Sequence, residues 1–151
     1  MKFLSPASAR TELRHATAAV HERLHRVPAF AALAAGQLDH AAYLGLLGRL
    51  YGFHDPFETA VAQAGPPGLQ PVQWRRAHLL RSDMAALGWS DAAIGELPRH
   101  PASGGSWSPA HAMSCRSKAL AGRFCWLARA ELVAGAIETF HCFEAWFAQM
   151  I

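Results

Sequence analysis

Apolar positions along this chain recur at intervals of three and four, and alternation of the kind a strand requires is never sustained. The pattern predicts an all-α protein. The first helix is expected after Ser5, with Pro6 in its opening turn and an apolar stripe of Leu13, Ala16, Thr17, Val20 and Leu24. A turn at Val27-Pro28 leads to a short helix over 29–35 that Gly36 ends. Asp39 caps a long helix carrying Tyr43, Leu44, Leu47, Leu50 and Tyr51, which Pro56 is expected to kink or interrupt before it resumes to Ala64. GPPG at 65–68 is a break. A further helix is read over 72–87 with Gly88 as its stop, then a short one capped by Ser90 and reaching Leu97. Residues 98–108 form the one clear loop, and Ser108-Pro109 opens a helix through the 110s. The tail is helical, with a broad stripe of Val133, Ile137, Phe140, Phe143 and Phe147. No internal repeat or domain boundary interrupts the chain, so a single helical domain over 1–151 is expected.

With 52% hydrophobic and 17% charged residues, the 151-residue chain is composed to fold around one core. Its net charge of +3 comes from scattered arginines rather than a basic run, which suits an anionic ligand and argues against nucleic acid. Cys115, Cys125 and Cys142 form no C-x-x-C, so a reducing cytoplasm fits best. MKFLSPASAR is too short and polar for a signal peptide, and no apolar run is long enough to cross a membrane.

His21-Glu22-Arg23-Leu24-His25 spells H-E-x-x-H, which on a helix can set two zinc ligands one turn apart. The extended form of that motif needs Gly and His where this chain has Pro28 and Ala31, and Glu58 lies beyond the Pro56 break. A zinc protease is therefore disfavoured. Taking Leu13 as the zero of a helical wheel, Val20 and Leu24 fall within about 20° of it, His21 near ~80°, Arg14 near ~100° and His25 near ~120°. One flank of the first helix thus carries Arg14, His21 and His25 at the margin of the buried stripe. An imidazole there can reach a ligand bound between helices, with an arginine near that ligand's acidic end.

Four blocks carry a family resemblance. LRHATAAVHERLHR (13–26), DHAAYLGLLGRLYGFHDPFETAV (39–61), WRRAHLLRSDMAALG (74–88) and AIETFHCFEAWF (136–147) resemble the conserved blocks of the biliverdin-producing heme oxygenases, bacterial type. The resemblance implies an all-α, heme oxygenase-like multi-helical bundle, here shortened. It implies heme as both substrate and prosthetic group, opened to biliverdin, carbon monoxide and ferrous iron with electrons from an external donor or redox partner. By position, His21 is the expected axial ligand of the iron, in a pocket that the apolar interior walls off. Arg14 is expected near a heme propionate, where a guanidinium fork matches a carboxylate. Tyr51 is expected near the distal side. AMSCRSKALAGR (112–123) echoes the distal helix through Ser117, Gly122 and Arg123, and Phe140 is taken as a heme contact from the aromatic tail.

The chain departs from the family pattern in three places. His25 stands where the family usually has an acid, Ala121 replaces the first glycine of the distal pair, and little separates Arg123 from Glu131. Two further readings follow: a non-catalytic heme-binding relative serving as carrier or sensor, and a cofactor-free helical interaction module. His54, His78 and His141 are expected to be ordinary polar helix residues, His141 with an outside claim as an axial ligand. Trp126, Phe140, Phe143, Trp146 and Phe147 are expected to fill core.

Overall fold

The structure, a computed structural model, describes residues 6–64, 75–101 and 129–149. Six helices occupy them: α1 (Pro6–His25), α2 (Pro28–Ala34), α3 (His40–Ala64), α4 (Ala77–Ala86), α5 (Asp91–Gly95) and α6 (Arg129–Phe147). Among the described residues there is no strand, and no helix is long and apolar enough to cross a membrane.

Local chemistry sets most boundaries. Pro28 opens α2 where its missing N–H costs nothing. Asp39 Oδ1 accepts from Ala42 N (2.7 Å) and Ser90 Oγ from Ala93 N (3.2 Å), capping α3 and α5. Gly36 and Gly88 have φ of 67° and 96°, and each ends its helix with the paired backbone bonds of a Schellman turn.

Helix α4 starts later than the periodicity predicts, because its cap comes from another helix. The buried Glu58 of α3 accepts from Arg76 N at 2.5 Å and Ala77 N at 3.2 Å, so the helical turn begins there.

Of the two outcomes expected at Pro56, an interruption is excluded, since α3 continues through it to Ala64. A proline removes the N–H that the carbonyl four residues earlier should receive. That carbonyl belongs to Gly52, and His100 N donates to it at 2.8 Å. The segment after α5 therefore lies against α3 where the helix lacks its own donor. It lies so close that a Cβ on Gly52 would run into Pro98 O and touch Trp146. Arg99 secures the same segment through Asp55 Oδ2 (3.0 Å), with its guanidinium 4.4 Å from the Tyr51 ring centroid.

The core has two clusters. One gathers Leu46, Phe53, Phe57, Trp146 and Phe147, with Phe30 and Phe143 packed against it, and joins α2, α3 and α6. The other gathers Leu47, Tyr51, Ala77, Met84 and Ile94 and joins α3, α4 and α5. The buried side of α6 is set by Ala136, Thr139, Trp146 and Phe147. Val133, Ile137, Phe140 and Phe143 are only partly buried, so the seam lies to one side of the expected stripe. Helices α1 and α6 pack against each other. Buried Thr17 and Thr139 each donate a hydroxyl to the carbonyl four residues earlier, Leu13 and Gly135, so neither hydroxyl is stranded. The Arg49 guanidinium stacks on Trp146, 3.5 Å from the ring centroid, and donates to the Trp146 carbonyl, while Trp146 Nε1 donates to Arg49 O at 2.8 Å. This closes the C-terminal end of α6 onto α3.

Candidate functional site

His21 projects from the last quarter of α1, one residue past the buried Val20. The neighbouring Phe140 of α6 meets it edge-on, with ring centroids 6.2 Å apart and planes at 77°. Sequence reasoning assigned both residues to one site, and the packing of α1 on α6 brings them together. Arg23 and Glu144 fix that packing nearby through a two-pronged ion pair, Nε to Oε1 at 2.6 Å and Nη2 to Oε2 at 2.8 Å. The Arg23 hydrogen bond holds the Glu144 carboxyl below its ordinary range. Both side chains reach solvent, so the pair sets the relative placement of two helices more than it stabilises them.

The expected enclosure of His21 is not what the described residues provide. Its ring is exposed, with Phe140 on one side and His25 against another. The reason is its place on the wheel: Thr17, Val20 and Leu24 point into the α1–α6 seam, and His21 sits at the edge of that face. Arg14 is exposed on α1 as well. Ser117, Gly122 and Arg123 lie outside the described residues, as do Cys115, Cys125 and Trp126.

Tyr51 is not brought to this place. It is buried in the α3–α4–α5 cluster beneath Arg99, whereas His21 and Phe140 sit where α1 meets α6. Among the remaining candidates, His78 and His141 are exposed. His54 is half-buried beside Phe53 and Phe143, and burial with the nearby Arg76 charge pushes its pKa down to about 4. The Cys142 thiol is free, and burial pushes its pKa up, so it stays protonated and poorly nucleophilic.

The residues around His21 suit a heme on chemical grounds. Among the described residues no hydrogen bond or ion pair engages its ring nitrogens or the Arg14 guanidinium. An available imidazole is a moderate axial donor, the Phe140 ring gives an apolar flank, and the arginine is free for a carboxylate. The spacing of His21 and His25 already made them neighbours on α1, whereas the Arg23–Glu144 pair, 121 residues apart, left no signal in the sequence.

No curated protein and no solved structure matches the chain. The family model described as heme oxygenase matches residues 7–96, a span that runs from the start of α1 to the end of α5 and contains Arg14, His21 and Tyr51. Matched over more than half its length, the chain belongs to the heme oxygenase family.

Proposed function

We propose that this protein is a cytoplasmic heme oxygenase that binds heme through His21 and opens the ring to biliverdin, carbon monoxide and ferrous iron, with electrons from an external donor. The observation that carries the reading is an accessible imidazole on α1, unengaged among the described residues and flanked by Phe140, within the span matched by the family. Bound heme supplies the iron that activates oxygen and is itself the substrate. The chain's own residues hold it: His21 as nitrogen donor, Phe140 against an apolar edge, and Arg14 as counter-charge to a propionate. The family resemblance adds Ser117, Gly122 and Arg123 as further candidates, and it adds Tyr51, a buried side chain beneath Arg99.

A second reading, a heme carrier or sensor without turnover, draws on Ala121, whose methyl stands where the family has glycine for close approach to the heme. One experiment separates the two. Hemin added to wild type should give a Soret shift that His21→Ala loses. Ascorbate or a reductase with oxygen should then convert the bound spectrum to a biliverdin band. A Soret shift indifferent to His21→Ala refutes both readings, and a stable bound spectrum under turnover conditions refutes the enzyme.

A further inference from the structure

The H-E-x-x-H string leaves His25 without a part in heme binding. It lies one turn after His21 on the same flank of α1, and the two rings touch, with centroids 4.6 Å apart and planes at 80°. Both side chains are exposed. Among the described residues, no hydrogen bond or ion pair takes a ring nitrogen of either one.

We propose that His21 and His25 form a bidentate site for an imidazole-preferring divalent transition-metal ion, of the nickel, copper or zinc class, and that an ion held there excludes heme. Two imidazoles at i and i+4 on a formed helix present nitrogens to one point with the backbone already fixed, so chelation orders only four side-chain torsions. Neutral imidazole is a good ligand for these ions, and exposure lets the ion keep water at its remaining positions. Among the described residues no group of three His, Cys, Asp or Glu side chains closes around a metal, so the site is an open, reversible one rather than a structural one. Exclusion follows from sharing: an ion between the rings occupies the His21 nitrogen that heme iron would take. This second half rests on the proposed heme reading, and the first half does not.

The test begins with heme-free full-length protein and Ni²⁺ alone, titrated calorimetrically near neutral pH. Wild type should bind one equivalent, and His21→Ala and His25→Ala should each weaken that binding about tenfold or more, as expected when a chelate becomes a single contact. His141→Ala, on the exposed side of α6, should leave it unchanged. Equal affinity in wild type and His25→Ala overturns the site and leaves an adventitious ion only, held at other histidines. Saturating Ni²⁺ should then suppress the Soret shift of added hemin in wild type but not in His25→Ala. Hemin uptake by wild type that ignores Ni²⁺ overturns the exclusion. If hemin uptake survives His21→Ala, the heme reading fails, while the nickel titration still decides the metal site by itself.

Discussion

Glu58 offers the sharpest test of how this bundle is held. Its carboxylate is buried, and one oxygen, Oε1, accepts from both Arg76 N and Ala77 N at the start of α4. Glu58→Ala strands two backbone donors at a helix start and removes a tertiary cap. At about 1–2 kcal/mol for each such loss, softened by the relief of a desolvated charge, the variant should lose about 2–3 kcal/mol. For a chain of this size that lowers Tm by about 5–10 °C. Glu58→Gln keeps a carbonyl oxygen for both donors and has no charge to bury, so it should stay within about 1 kcal/mol of wild type. The pH dependence separates the two ideas further. Burial outweighs the hydrogen bonds and raises the Glu58 pKa above its ordinary 4.5. The folded state therefore holds this proton more tightly than the unfolded chain. The resulting stabilisation is full below 4.5 and fades as pH rises through the folded pKa. Urea unfolding of wild type and Glu58→Gln from pH 4 to 7.5 should show the difference moving in favour of wild type as pH falls. If Glu58→Gln is as damaged as Glu58→Ala at every pH, the charge rather than the acceptor geometry holds α4.

Other expectations follow from the same packing. His54 carries the opposite linkage: its pKa is lowered from 6.5 to about 4, so its contribution is present above 6.5 and is lost as pH falls towards 4. His54→Gln should flatten that acid loss in a pH series of urea melts. Met84 is fully buried, so Met84→Ala should cost about 2–5 kcal/mol, read as a lower urea midpoint with unchanged m-value. Gly52→Ala forces a methyl into Pro98 O and Trp146 and should cost about 1–3 kcal/mol, with the near-ultraviolet dichroism of the tryptophan altered as well. An unperturbed Gly52→Ala would mean that the 97–101 segment does not lie against α3 in solution.

Several helix ends were legible because their chemistry is local. Asp39 and Ser90 cap the helices that immediately follow them, and Gly36 and Gly88 stop those that precede them. The start of α4 was not legible, since its acceptor sits 18 residues away on another helix. Nor was the passage of α3 through Pro56, which depends on a donor from residue 100. At the site, periodicity placed His21 at the margin of a buried face, and its exposure bears out that placement while leaving no enclosure among the described residues. Tyr51 was legible as a helix residue and not as a core one. Its place on α3 was clear, but its direction depends on α4 and α5 packing beneath it.

The bond between the Gly52 carbonyl and the His100 amide has a genetic consequence. Because it joins main chain to main chain, only proline at position 100 deletes the donor outright, while other residues there keep the amide and must still fit beside Phe53 and Trp146. A codon inserted or removed between 95 and 99 would instead slide the amide out of reach of its carbonyl. Drift along this stretch should therefore reject changes of length even where a change of letter still fits its neighbours.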